Sequence, residues 1–123
     1  MLDAAFELFL EHGYDGTSMD AVARAAGVTK PVVYDCFPSK EDLFTALLQR
    51  EETRDLVNAT MAQLPDHYRE SLEEKYVEGR SQREMAERRQ MTEKALESQL
   101  SRAREAFRAT FLALSRRAQM EVV

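Results

Sequence analysis

Four consecutive residues, Thr29-Lys30-Pro31-Val32, carry the donor and the methyl groups from which a base-reading surface is built. A lysine ammonium donates to guanine N7 and O6 or to a phosphate oxygen, and the methyls of Thr29 and Val32 suit the thymine methyl. Such side chains reach base edges from the first turn of a helix laid in the major groove. The flanking residues supply that setting. Ala21, Val22, Ala25 and Ala26 give the preceding helix a small-residue inner face that another helix can cross closely. Thr17 or Ser18 can cap it, with Asp20 placed to answer Thr17 in a capping-box-like pair. Gly27 follows the last periodic residue, where a left-handed backbone ends a helix. Val28 plugs the turn, and Thr29 caps a second helix running to Phe37. Pro31 falls in its first turn, where a missing N–H costs little. Helix, glycine turn and Thr-capped helix make a helix-turn-helix.

Catalytic chemistry finds no comparable constellation. His12 and His67 are isolated, without metal-ligand spacing to Cys36 or to an acid cluster. The sequence has no glycine-rich phosphate loop and no Ser/His/Asp arrangement, and its carboxylates intermingle with arginines as on solvated helix faces. Cys36 lacks a nearby base and is an inert thiol on this reading. The sequence thus predicts no enzyme, no metal and no cofactor.

The elements that hold these residues follow from hydrophobic spacing. Leu2, Ala5, Phe6, Phe9 and Leu10 stripe a first helix that Gly13 ends, with Tyr14 packing behind it. Ser39, with Asp42 three residues on, caps a fourth helix held by Leu43, Phe44, Leu47 and Leu48. It turns polar past Arg50, recovers a thin stripe at Leu56, Val57, Met61 and Leu64, and stops at Pro65. A helix from Pro65 to Gly79 presents Tyr68, Leu72, Tyr76 and Val77. Ser81 to Glu84 is a capping box for a short helix with Met85 and Ala86 inward. Met91 fills a second turn and Thr92 caps a long helix from Glu93. Its apolar positions are Leu96, Leu100, Ala103, Phe107, Phe111 and Leu114, and Phe111 and Leu114 need cover from the first unit or from a second chain.

Leu2 to Leu48 resembles the N-terminal DNA-binding domain of TetR-type transcriptional regulators, through A-x-x-A-G-V-T-K (Ala23 to Lys30) and Y-x-x-F-x-S-K-x-x-L (Tyr34 to Leu43). The resemblance implies a three-helix head with a bridging fourth helix. It places Tyr34 and Lys40 at phosphates, and Thr17 or Ser18 donating to phosphate from a helix N-terminus. Family members begin the first helix several residues earlier, behind a short basic arm, and usually carry a large ligand-binding, dimerising body. Cys36 stands where they have His or Tyr.

Leu64 to Leu114 resembles the fourth region of extracytoplasmic-function sigma factors, through L-P-x-x-Y-R-x-x-L, Y-V-E-G-x-S, R-E-M-A-E-R and T-E-K-A-x-E-S-x-L-S-R-A-R. That region is a helix-turn-helix which binds promoter DNA and touches RNA polymerase. The resemblance puts Lys94, Glu97 and Ser98 at bases and Arg102 and Arg104 at phosphates; the alternative is a solvated face with paired charges. Arg80, Arg83, Arg88 and Arg89 form a cationic cluster. Arg89-Gln90 replaces the family's Leu-Gly. A left-handed Gln90 costs about 1 kcal/mol relative to glycine, and Arg89 has to leave an inward position.

The totals fit these pieces. The chain has 123 residues, 44% hydrophobic, with net charge −5 and a pI near 5.1. Residues 1–63 hold five Lys and Arg against eleven Asp and Glu, and residues 64–123 hold twelve against eleven. DNA contact must therefore come from a local patch. One cysteine and no long apolar run predict a cytoplasmic protein without a membrane partner. The expected architecture is all-α: about seven helices in two small helix-turn-helix units, 1–63 and 64–123, with a long C-terminal helix. The expected partner is double-stranded DNA, in transcription regulation, with a homodimer and an RNA polymerase contact as further readings. A helical protein-interaction module without DNA binding is the alternative from another class, supported by the acidic head and Cys36.

Overall fold

The computed structural model describes residues 1–121 and is helical throughout, with no strand among those residues. Eight helices follow in order: α1 Leu2–His12, α2 Met19–Ala26, α3 Lys30–Cys36, α4 Lys40–Leu48, α5 Arg54–Gln63, α6 Asp66–Leu72, α7 Gln82–Arg89 and α8 Glu93–Glu121. The chain divides into two compact units, Met1–Arg54 and Asp55 onward, so nearly all of α5 groups with the second.

In the first unit α1 packs on α2 and α4, and α2 packs on α3. Ala5, Phe9, Met19, Val22, Ala23, Val33, Leu43, Phe44 and Leu47 are buried. Three rings anchor them: Tyr14 meets Phe44 edge-on at 5.4 Å, and Phe9 lies 5.7 Å from Tyr14 and 6.0 Å from Phe44. Such pairs add about 0.5–1.5 kcal/mol each beyond the area they bury. The inner face of α2 is Met19, Val22 and Ala23, while Ala25 is exposed. Ser18 rather than Thr17 caps the helix, and its buried stripe has the spacing i, i+3, i+4 counted from Met19.

The long fourth helix expected from the sequence is interrupted. α4 ends at Leu48, Arg50 adopts an extended backbone (φ −63°, ψ 130°), and a single 3-10 turn at Glu51–Thr53 precedes α5. No glycine or proline marks the break. Arg50 is held by its side chain, which pairs with Asp3, lies 3.5 Å from Glu52 and sits 5.8 Å from the Phe6 ring centroid.

In the second unit α8 packs against α6 and α7. Met85, Ala86, Leu96 and Leu100 form a buried cluster closed by Met91. The helix expected from Pro65 to Gly79 stays α-helical only to Leu72 and then widens into a π turn, Glu73–Val77, sealed by the Glu78 amide on the Glu73 carbonyl at 2.8 Å. The wider turn changes the phase of the stripe: Tyr76 is buried, and Val77 turns out to 68% exposure. Along α8, Leu96, Leu100, Ala103, Phe107 and Phe111 are buried and Leu114 is half-buried, on the expected spacing. At 1.5 Å per residue its 29 residues extend about 40 Å. None of the described helices is long and apolar enough to cross a membrane.

Candidate nucleic-acid interface

The α2–α3 turn is built by local chemistry. The Ser18 hydroxyl accepts from the Ala21 amide at 3.1 Å, starting α2. Gly27 closes it with φ +72°, its amide turned to the Ala23 and Arg24 carbonyls, while the Val28 amide donates to Ala23 at 3.0 Å. This double closure is the usual glycine ending of a helix. Thr29 is the N-cap of α3 by backbone alone: its carbonyl accepts from Val32 and Val33, and its hydroxyl makes no cap bond. The expected side-chain cap is absent: Pro31 has no N–H to offer, and the Val32 amide is turned to the Thr29 carbonyl at 3.1 Å instead.

One side chain of α3, Val33, is fully buried, and Phe37 just past its end is half-buried. Thr29, Lys30, Pro31, Val32, Tyr34, Asp35 and Cys36 are exposed. Val32 and Tyr34 each show 41% of their surface, a large apolar and aromatic area facing water on a seven-residue helix. The Lys30 ammonium lies 3.2 Å from Asp20 and 5.9 Å from the Tyr34 ring centroid. The α3 tip thus presents methyls, a phenol and one cation, the groups needed to meet base edges and phosphates.

Two residues that the family resemblance puts at phosphates are turned inward. Thr17 is 3% exposed; its hydroxyl donates to the Gly13 carbonyl at 2.8 Å, with the Leu8 carbonyl 3.2 Å away. The Lys40 ammonium donates to the Tyr14 carbonyl at 2.8 Å and the Thr17 carbonyl at 3.1 Å, and lies 4.3 Å from the Tyr14 ring centroid. Together they fasten the α1–α2 loop to the start of α4. The loop is tight at Gly16 as well, where a Cβ would fall 2.3 Å from the His12 carbonyl oxygen. Ser39 caps α4 as expected, accepting from the Asp42 amide at 3.1 Å.

A second surface lies at the start of α8. Thr92 caps it, accepting from the Ala95 amide at 3.0 Å. Lys94, Ser98 and Arg102 then form an exposed row at four-residue spacing, opposite buried Leu96, Leu100 and Ala103. Glu97 and Arg104 depart from the positions the resemblance gives them. Arg104 is 3% exposed, bonded to the Tyr76 hydroxyl at 3.0 Å and to Glu97 at 2.9 Å. Burial opposes its charge, yet Tyr76 and Glu97 outweigh that effect and hold its pKa above the ordinary arginine value. Glu97 also accepts from Gln82 at 2.6 Å, so its carboxylate ties α7 to α8.

The preceding turn closes without glycine. Gln90 adopts φ +55° and ψ +46°, alone among the described non-glycine residues in a positive φ. Arg89 does not swing away: its guanidinium meets Glu74 (Nε at 3.1 Å) and the Ser71 hydroxyl at 3.2 Å. Arg88 reaches the same carboxylate at 2.8 Å, and Arg80 approaches it at 3.9 Å. Three of the four clustered arginines therefore surround one glutamate, whereas Arg83 stays 81% exposed beside Glu87. Glu70, Glu73 and Glu78 complete the walls of this cleft. No group of three His, Cys, Asp or Glu side chains among the described residues could hold a metal.

Sequence reasoning missed Asp20 as the partner of Lys30 and Glu74 as the hub of the arginines. Neither pairing follows a helical repeat, since the partners lie six to fifteen residues apart across turns.

Comparison with known proteins divides the chain at the same place. Residues 1–47 match the family described as bacterial regulatory proteins, tetR family, and residues 54–107 match sigma-70, region 4. The HTH-type transcriptional activator FasR of Mycolicibacterium smegmatis is 50% identical over 50 residues, covering 41% of this chain and 23% of that protein. The HTH-type transcriptional repressor ComR of Escherichia coli is 45% identical over 49 residues, 40% of this chain and 23% of that protein. The HTH-type transcriptional regulator AcrR of Shigella flexneri is 40% identical over 53 residues, 43% of this chain and 25% of that protein. The chain thus spans about a quarter of the length of these relatives. No solved structure matches it significantly.

Proposed function

We propose that residues 1–54 bind double-stranded DNA in a sequence-specific manner and serve transcription regulation, in the cytoplasm, without catalysis. The observation that carries this reading is the division of α3: Val33 anchors it, while Thr29, Lys30, Pro31, Val32 and Tyr34 face water. A helix with so much apolar and aromatic area exposed at its tip has a partner to meet, and the match to tetR-family regulators over residues 1–47 favours DNA as that partner. Thr29, Lys30, Pro31 and Val32 address base edges, and Tyr34 with Ser18 addresses phosphates. Thr17 and Lys40 act through the loop they brace. A homodimer would set two such tips on a two-fold site, one helical turn apart.

Selection of bound sites from random duplexes tests this, followed by titration at several salt concentrations. A preferred site should emerge. With so few cations in the head, log affinity should fall with log salt at a shallow slope of about −1 to −3 per head. Lys30→Ala should weaken the preferred site by about 1–3 kcal/mol. Binding that shows no sequence preference and no salt dependence removes the reading and leaves the protein-interaction module.

A second reading assigns DNA or RNA polymerase contact to the C-terminal unit. It is supported by the exposed Lys94, Ser98 and Arg102 row and by the sigma-70 region 4 match over residues 54–107. Arg102→Ala, set beside Lys30→Ala, separates the two: whichever lowers duplex affinity marks the unit in contact.

A further inference from the structure

We infer that Asp20 is a specificity-determining residue, which holds the Lys30 ammonium away from phosphates and yields it to a matched base. The inference rests on the reading of residues 1–54 as a DNA-binding head. Asp20 lies in the first turn of α2 and Lys30 opens α3, and their charged atoms stand 3.2 Å apart across the turn. Both side chains are about half exposed, 52% and 59%, so the pair forms at the surface and can be exchanged for another partner.

Few other cations can substitute for Lys30. The first unit holds Arg24, Lys30, Lys40, Arg50 and Arg54. Lys40 is bound to two carbonyls, and Arg50 to Asp3 and Glu52. Lys30 alone among them belongs to α3.

The two kinds of DNA acceptor differ in how they compete with Asp20. A phosphate offers Lys30 an anionic oxygen, which the carboxylate already supplies, and Asp20 repels that phosphate. A guanine edge offers two acceptors, N7 and O6, without a net charge. Asp20 therefore penalises backbone contact more than base contact. Like-charge juxtaposition of this kind suppresses wrong partners at an interface. An acidic residue beside the reading cation lowers affinity for DNA in general and widens the gap between right and wrong sequences.

The test measures Asp20→Asn and Asp20→Ser on the selected site and on an unrelated duplex of equal length, at low salt. Each variant is made alone and combined with Lys30→Gln, and thermal midpoints verify that all remain folded. Asp20→Asn should bind the unrelated duplex about 1.5- to 5-fold more tightly, the scale of one exposed ion pair, and the selected site by a smaller factor. The ratio between the two affinities then falls. In the Lys30→Gln background the gain should shrink to the part that relief of phosphate repulsion alone supplies. An unchanged or larger ratio overturns the inference, as does a gain of equal size without Lys30, which would reduce Asp20 to a diffuse negative charge. If the unsubstituted protein binds no duplex at any salt, the DNA reading falls and this inference with it. That outcome is distinct from a protein that binds DNA but ignores the loss of Asp20.

Discussion

The Lys40 ammonium donates to the Tyr14 carbonyl at 2.8 Å, reaching back across 26 residues from the first turn of α4 to the loop after α1. It bonds the Thr17 carbonyl as well, and Thr17 in turn is bonded to Gly13. A residue that sequence resemblance assigns to phosphate is thereby an internal brace for the loop that launches α2.

Replacing Lys40 with Met keeps the aliphatic stem and deletes two charge-assisted bonds. The first unit should lose about 1–3 kcal/mol of stability, measured by urea unfolding. The salt slope of DNA binding should stay unchanged. A slope shallower by about one charge would make Lys40 a phosphate contact instead.

Gln90 sits in the left-handed region that glycine occupies freely. Gln90→Gly should therefore stabilise the second unit, by about 0.5–1 kcal/mol, even though the glycine gains freedom in the unfolded chain. Thermal unfolding of the two proteins, side by side, measures it. A loss of stability would mean that the Gln90 side chain contributes more than its backbone strain costs.

Arg104→Met removes a guanidinium that bonds Tyr76 and Glu97 from a site 3% exposed. The cost should be about 2–3 kcal/mol, and Tyr76→Phe should cost about 1 kcal/mol, both read from denaturant midpoints. The pH dependence has a definite sign. The folded-state pKa is raised above the ordinary arginine value, so this stabilisation is fully present below that value and is lost only as pH rises past it. Stability differences between the wild type and Arg104→Met should accordingly stay flat from about pH 5 to 9.

Much of the first unit was legible because its signals are local. Ser18, Gly27, Ser39 and the spacing of Phe9, Val22 and Leu43 each act within a turn or two of helix. The helix-turn-helix and the outward tip of α3 follow from them. Long-range partners were not legible. Thr17 has the composition of a cap, but the carbonyls it meets belong to Gly13 and Leu8. The break after α4 lies in a stretch with normal helix formers, and it is fixed by Arg50 reaching Asp3, 47 residues away. In the second unit the α8 stripe was plain from its spacing. The π turn was not, because one extra residue in a turn leaves no mark in the sequence beyond the exposed Val77. Arg89 illustrates the same limit: its inward charge is matched by Glu74, fifteen residues away in the chain.

The single buried anchor of α3 has a consequence for how such a head changes over time. Val33 fixes the helix to its support, and the loop braces lie elsewhere, so the outward residues bear little of the folding energy. On the proposed DNA-binding reading, substitutions at Thr29 or Val32 would alter which duplex is preferred while leaving the fold largely indifferent. The scaffold is a fixed handle, and the tip is an interchangeable key.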